Sequence, residues 1–190
     1  MKNRMDVPRI CGIVGGVLFL AIVAYNLYIY IYMLLDAGAA FNPLTVLTIA
    51  ESTAIGVLAL LDRRGRLLEI VAWVQVVHGF ITMVAMIYSV VTAAAISSIA
   101  LTLIFANVIG AAASVLLATL LIIGSCRRGE VRWLRRVCFL PPLVLLAGSV
   151  VSFSVVELTL LSLILVLIQA ISALLVCIWV SAPVYTMQPE

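Results

Sequence analysis

The chain has 190 residues, of which 66% are apolar and 10% are charged, and its mean hydropathy is +1.32. A soluble domain is roughly half apolar and about a quarter charged, so this composition excludes a soluble globular protein. The length accommodates about six spans of ~20 residues and leaves no room for a separate soluble domain. The net charge of +3 does not indicate a nucleic-acid partner, because every Lys and Arg falls in a short segment before or between the apolar runs.

Six apolar runs follow one another along the chain. Because lipid offers the backbone no hydrogen bonds, such runs satisfy their own N–H and C=O groups as helices. The sequence therefore predicts an all-α, polytopic transmembrane helix bundle that forms a single integral membrane domain over residues 1–190. The predicted spans cover residues 10–35, 44–61, 67–91, 97–124, 139–156 and 158–180. The first run is too long for a signal peptide and is interpreted as an uncleaved span.

The basic residues alternate with the spans. The N-terminus and the segments 62–66 and 125–136 carry all of them, whereas the segments 36–43 and 93–98 and the turn at Glu157 carry none. The positive-inside rule therefore predicts that both termini are cytoplasmic, with the plasma membrane as the expected location. Residues 130–138 are too charged to span and predict a short helix on the inner leaflet, after which Pro141 and Pro142 are expected to restart or kink the chain into the fifth span. Eight arginines are predicted to contact anionic lipid: Arg63, Arg64, Arg66, Arg127, Arg128, Arg132, Arg135 and Arg136.

Aromatic residues cluster towards the ends of the predicted spans. Trp73, Trp133 and Trp179 fall near the basic segments, and most of the tyrosines fall near the opposite ends. This distribution is typical of the aromatic belts at the two membrane interfaces. The alternative is a ligand site lined by three tyrosines of the first span, Tyr25, Tyr28 and Tyr32.

A layer of polar residues is predicted near the middle of the membrane. Glu51 and His78 lie 13 and 14 residues from Arg64, which places both ~20 Å from the inner surface at 1.5 Å per residue. The other members of the layer are Gln75, Asn107 and Gln169. A carboxylate at this depth costs several kcal/mol unless it is paired, hydrated or protonated. The layer is interpreted as interhelical hydrogen-bond glue, as a path for protons or ions, or as a buried ligand or lipid site.

Small residues indicate where helices pack closely. Gly12 and Gly16 form a GxxxG pair in the first span, and a four-residue ladder runs along the fourth. Its members are Ala106, Gly110, Ser114 and Ala118. Such ladders let helix backbones approach one another in lipid, so the fourth span is expected to be the most tightly packed.

Signatures of soluble-enzyme chemistry are missing from the sequence, which predicts no enzymatic activity, no cofactor and no metal site. Ser52 beside Glu51 and His78 is the one conceivable catalytic triad. The four cysteines form no CxxC pair and fall in the predicted cytoplasmic half, where thiols are expected to stay reduced. They are Cys11, Cys126, Cys138 and Cys177.

Three functions remain open at this point. The sequence favours a structural or accessory subunit of a membrane complex or a homo-oligomer, because the outer loops are short and no Gly/Pro-broken helix marks a substrate site. The alternative is a small proton- or ion-coupled transporter or channel that uses Glu51 and His78. The third is a membrane-embedded enzyme. The expected partners are the lipid bilayer and either other membrane subunits or a second copy of the chain.

Overall fold

A computed structural model describes residues 7–36, 38, 40–92, 96–126, 132–157 and 159–182. Within these ranges the chain forms seven helices and no strand. The helices are α1 (Val7–Leu35), α2 (Pro43–Leu60), α3 (Arg66–Thr92), α4 (Ser98–Cys126), α5 (Arg132–Val137), α6 (Leu140–Phe153) and α7 (Leu160–Ser181). Six segments are long and apolar enough to cross a membrane, the fifth being Trp133–Phe153. The prediction of an all-α, multi-pass membrane protein is confirmed.

Local signals in the sequence account for several helix ends. The Asn42 side chain accepts a hydrogen bond from the Leu44 N–H at 3.0 Å, and Pro43 occupies the first helical position of α2, where no N–H is needed. Thr159 and Ser162 form a reciprocal capping box at the start of α7. The six longest helices begin and end within three residues of the predicted spans.

The fifth span is a broken helix. A turn at Cys138 and Phe139 separates α5 from α6, and α6 begins with Pro141 and Pro142 in its first turn. The 14 residues of α6 are too few to cross the ~30 Å hydrocarbon layer, so the span depends on α5 as well. The short helix that the sequence predicts over this segment is confirmed as α5, and the chain restarts as a new helix at Pro141 and Pro142. Pro141 and Pro142 have no backbone N–H, so they cannot donate the helical hydrogen bonds that would join α5 to α6 in one continuous helix.

The six spanning helices form a closed ring in the order α1, α2, α3, α4, α6, α7, and α7 packs back against α1. Neighbouring helices are antiparallel, as contacts at several depths show. Gly16 of α1 lies against the Gly56 carbonyl of α2, and the Tyr30 hydroxyl of α1 is hydrogen-bonded to Asn42 near the other end of α2. Each span thus runs opposite to its neighbours in the ring.

The two ends of the ring differ. We call the end with the α2–α3 connection, α5 and the C-terminal end of α7 the basic end, and the end with the α1–α2 and α6–α7 connections the opposite end. At the basic end α4 contacts α7 across the ring, and a Cβ on Gly124 would lie only 2.7 Å from the Val180 carbonyl oxygen. The apolar core fills this half. Its fully or nearly fully buried members include Ile55, Ala59, Leu68, Ala72, Leu121, Val176, Trp179 and Val180.

Most of the small residues predicted to mediate helix packing lie at helix contacts, but Gly110 does not. Gly12 faces the Trp179 ring, and a Cβ on Gly16 would lie 2.7 Å from the Gly56 carbonyl oxygen, so both glycines permit close approach. On α4, Ala106 and Ala118 are buried. A Cβ on Gly110 would meet nothing within 4 Å, so its predicted role in helix contact was wrong. Gly110 faces the interior space of the ring instead.

The fourth span packs against three other spanning helices, α3, α6 and α7. The share of buried residues in its most apolar stretch is 33%, against 39% for α7, and one face of α4 lines the open interior. The expectation that it is the most tightly packed span therefore stays a prediction.

Candidate functional site

Glu51 of α2 and His78 of α3 form a buried pair inside the ring. The Glu51 Oε2 and His78 Nδ1 atoms are 3.1 Å apart, and the two residues are 6% and 8% exposed. Because α2 and α3 are antiparallel neighbours joined at residues 61–65, residues at equal distances from this connection meet at one depth. The two residues, which the sequence predicts to lie at equal depth, are therefore in direct contact.

Gln75 extends this pair by one helical turn. It lies three residues before His78 on the same face of α3, is 7% exposed, and donates from Nε2 to the Ser114 Oγ of α4 at 2.8 Å. Ser114 was predicted as a packing residue, but its hydroxyl joins α4 to the polar layer.

These residues lie on the wall of a cavity of about 440 Å³ that receives lining residues from all six spanning helices. Asn107 and Gln169 line it too, so the structure brings all five residues of the predicted polar layer around one space. Further hydroxyl groups line the same wall, at Thr48, Ser52, Thr82, Ser149 and Ser152. The cavity lies at mid-depth and extends towards the opposite end, where Thr48 and Ser152 are located.

The sequence contains a signal for two of the hydroxyl residues that the prediction omitted. Thr48 falls three positions from Glu51 and Thr82 four positions from His78 on the same helices. Residues at this spacing share a helix face. Extending the polar layer by helical spacing would therefore have identified these two residues, whereas Ser149 and Ser152 lie on α6, which carries no member of the layer.

Two oxygens of the site are buried and make no hydrogen bond within the described residues: Glu51 Oε1 and Gln75 Oε1. Native proteins leave few such acceptors unpaired, because each one costs roughly 1–3 kcal/mol. Both belong to side chains on the cavity wall; an amide oxygen accepts hydrogen bonds, and so does a carboxyl oxygen while it is ionised. The site therefore presents acceptors that the surrounding helices do not satisfy.

The cavity wall carries few ionisable groups. Among the described residues that line it, Glu51 and His78 are the only ionisable ones, and there is no Lys or Arg. The carboxylate is thus the one negative group, and the imidazole is the one group that can carry a positive charge. Such a pair can hold or pass a proton, since His exchanges protons near neutral pH.

A second polar cluster closes the basic end. The Trp179 Nε1–H donates to Asp62 Oδ1 at 2.6 Å, and the Arg64 guanidinium stacks over the Trp179 ring at 5.1 Å from its centroid. Arg64 also donates to the Ala182 carbonyl oxygen at 2.9 Å and lies 3.4 Å from Asp62. Burial lowers the pKa of Arg64, and the Asp62 carboxylate opposes this shift. The cluster ties the α2–α3 connection to the end of α7.

Two predictions fail at this cluster. Trp179 was assigned to an interfacial belt, but it is fully buried, because α7 turns it inwards against Gly12. Arg64 was assigned to anionic lipid, but its side chain is only 10% exposed, because Trp179 and Ala182 hold it inside the protein. The sequence places these residues at the correct end, but it does not show that they meet across 115 positions.

The other predicted lipid-contacting arginines are placed as follows. Arg63, Arg66, Arg135 and Arg136 are exposed at the basic end. Arg127 and Arg128 lie outside the described residues, as does the side chain of Arg132, whose backbone belongs to α5. Contact with lipid headgroups stays a prediction for all of these residues.

The remaining candidates do not join the site. Tyr28 and Tyr32 project from the outer surface of α1, so the three tyrosines do not form a pocket. Ser52 lines the cavity, but the described residues include no hydrogen bond from it to His78, whose Nδ1 faces Glu51. Cys138 and Cys177 are buried neighbours, with the Cys138 thiol 3.3 Å from the Cys177 carbonyl oxygen.

Searches against protein families, curated proteins and solved structures find no match to this chain. The geometry of the site is therefore the basis for a functional hypothesis.

Proposed function

We propose that this protein is a small transporter that moves protons or a proton-coupled cation through the central cavity. The observation that carries the proposal is the buried Glu51–His78 pair, whose Oε2 and Nδ1 atoms are 3.1 Å apart on the wall of a polar cavity. A carboxylate inside the membrane is costly, and such residues commonly mark ion or proton pathways. In this proposal the protein has no enzymatic activity.

The broken fifth span supports the same proposal. Transporters often build substrate sites from interrupted helices, because irregular backbone at membrane depth is tolerated where it lines a cavity. Pro141, in the first turn of α6, lines the cavity. Of the two arguments for a purely structural protein, the short outer loops stand, whereas a proline-broken helix at the cavity wall weakens the other.

The closed basic end favours a transporter over an open channel. The cavity extends towards the opposite end, whereas the apolar core and the Trp179 cluster fill the ring at the basic end. A channel needs a continuous polar path across the membrane. Here a conformational change at the basic end would complete the path, as in alternating access.

Proton flux in reconstituted vesicles tests the proposal. We expect vesicles that contain the protein and a pH-sensitive dye to dissipate an imposed pH gradient faster than protein-free vesicles, and Glu51→Gln to abolish the difference. Glu157→Gln is the matched control, because it makes the same chemical change at an exposed position between α6 and α7. Equal flux through both variants would contradict the proposal.

We further propose that the basic end faces the cytoplasm of a plasma membrane. The support is the positive-inside rule, since Arg63, Arg66, Arg135 and Arg136 are exposed at this end. An epitope tag inserted after Gly65 is expected to be protected in intact cells, and one inserted after Gly38 is expected to be accessible. The reverse pattern would contradict this orientation.

A second candidate function is that of a structural or accessory subunit, or of a homo-oligomer. One observation favours it: Asn26 is exposed on the membrane-spanning helix α1 and makes no hydrogen bond within the described residues. An amide on a lipid-facing surface promotes association, because a partner helix can pair with it. We expect Asn26→Leu to lower the apparent mass in mild detergent if this surface binds a second copy. An unchanged monomer mass for both proteins would argue against a homo-oligomer.

A further inference from the structure

We propose, resting on the transport function above, that the cavity binds a small organic monocation with N–H groups, such as a primary ammonium. The binding groups are the Glu51 Oε1 and Gln75 Oε1 atoms, which lack hydrogen-bond partners within the described residues. Both side chains line the same cavity and are more than nine-tenths buried. The inference names the ligand class, which the proton pathway alone does not.

The charge of the wall selects a cation. Glu51 and His78 are the only ionisable groups on the described wall, and no Lys or Arg lies there. A carboxylate or phosphate ligand would meet the Glu51 carboxylate without a Lys or Arg to pair with it, and His78, the one group on the described wall that can become positive, already faces that carboxylate. A cation pairs with that carboxylate directly, and a charge-assisted hydrogen bond of this kind is roughly twice as strong as a neutral one.

The chemistry of the two oxygens selects a hydrogen-bond donor. A carboxylate oxygen and an amide oxygen only accept hydrogen bonds, so a ligand that satisfies both must donate. An ammonium group has three N–H donors, enough for these two oxygens and for one hydroxyl on the wall. Ser52 and Thr82 offer such hydroxyls on α2 and α3.

The cavity has the room for such a ligand. Its volume of about 440 Å³ far exceeds the roughly 30 Å³ that a water molecule occupies in the liquid. The two oxygens are covered in the present rotamers. A ligand therefore requires a rotation about the last torsion of each side chain, which has a broad energy well, and the Gln75–Ser114 and Glu51–His78 contacts adjust as the ligand enters.

A ligand series tests the inference on the unaltered protein. We would titrate the full chain, purified in detergent, with propylammonium chloride, tetramethylammonium chloride, sodium chloride and sodium propionate in a calorimeter. We expect propylammonium to bind at least about tenfold more tightly than the others, since losing one charge-assisted hydrogen bond weakens binding by roughly that factor. Equal binding of tetramethylammonium, sodium or propionate would overturn the inference.

Two variants test the named atoms. Gln75→Leu and Glu51→Gln are each expected to weaken propylammonium binding by roughly tenfold or more, while Glu157→Gln leaves it unchanged. Unchanged binding in a folded Gln75→Leu variant would overturn the inference, and the ligand series decides the matter should both variants unfold. Proton flux without propylammonium binding would refute this inference alone, whereas binding without flux would refute the transport proposal alone.

Discussion

The half of the bundle at the basic end is filled with packed apolar side chains, whereas the half towards the opposite end surrounds a polar cavity. The same helices build both halves. In α2, Ile55 and Ala59 are fully buried in the core, while Thr48 and Glu51, one or two turns earlier, line the cavity. The residues that stabilise the bundle and the residues of the candidate site thus occupy different halves of the same helices. Substitutions at the basic end should lower stability, whereas substitutions around the cavity should alter transport.

Polar groups play different parts in the two halves. At the basic end, Asp62, Arg64 and Trp179 satisfy one another and the Ala182 carbonyl. In the cavity, Glu51 and Gln75 each keep one oxygen that has no hydrogen-bond partner among the described residues. A satisfied cluster holds elements together, whereas unsatisfied acceptors indicate a ligand, an ion or water.

The largest expected effect is that of Trp179→Ala. Trp179 is fully buried, so its removal leaves a cavity and takes away the hydrogen bond to Asp62 and the ring beneath Arg64. We expect a loss of about 3–5 kcal/mol in the free energy of unfolding. Denaturant titration in detergent measures it. Trp73→Ala is the control, since the Trp73 side chain is 53% exposed. Similar losses for the two variants would mean that the basic end is not the stable half.

Leucine substitutions at Gly16 and Gly110 compare a tightly packed glycine with one that faces open space. Gly16→Leu forces a side chain against the Gly56 carbonyl oxygen, and overpacking of this kind costs about 1–3 kcal/mol. Gly110→Leu meets open space, so we expect a much smaller change in stability and a reduced proton flux, because the side chain enters the cavity. The same denaturant titration measures both. Equal destabilisation would show that Gly110 is a contact residue after all.

Substitutions at Asp62 compare its backbone strain with the hydrogen bond that its side chain accepts in the cluster. Asp62 has a φ of +52°. The Arg63 N–H donates to the Leu58 carbonyl, and the Asp62 N–H donates to the Ala59 carbonyl. These two bonds form a Schellman motif at the end of α2, in which the Asp62 position is usually Gly. Asp62→Gly relaxes the backbone but removes the acceptor of the Trp179 N–H. We expect a net loss of about 1–2 kcal/mol in stability, and a smaller loss for Asp62→Asn, which keeps an acceptor. A Gly variant more stable than the original would contradict this assignment.

The sequence was sufficient for the parts of the fold that depend on local composition. Apolar run length predicts the spans, and the count from Arg64 places Glu51 and His78 at one depth. Rotation of the helices is a property of the whole ring. The sequence therefore did not reveal that Trp179 points inwards, that Gly110 faces open space, or that Asn107 and Gln169 meet at one cavity. The break before α6 was visible as Pro141–Pro142, but its position at the cavity wall was not.

The smallest expected effect on stability distinguishes a site from interhelical glue. Asn107 lines the cavity, is exposed to it, and makes no side-chain hydrogen bond within the described residues. If it were glue, Asn107→Leu would cost about 1 kcal/mol. We instead expect a change within about 0.5 kcal/mol, as for positions without a structural partner, together with altered proton flux. Gln75→Leu is the comparison, because it removes the hydrogen bond to Ser114 and should destabilise the bundle by about 1 kcal/mol. Equal losses in the two variants would assign Asn107 to the packed framework and shrink the candidate site to Glu51, His78 and Gln75.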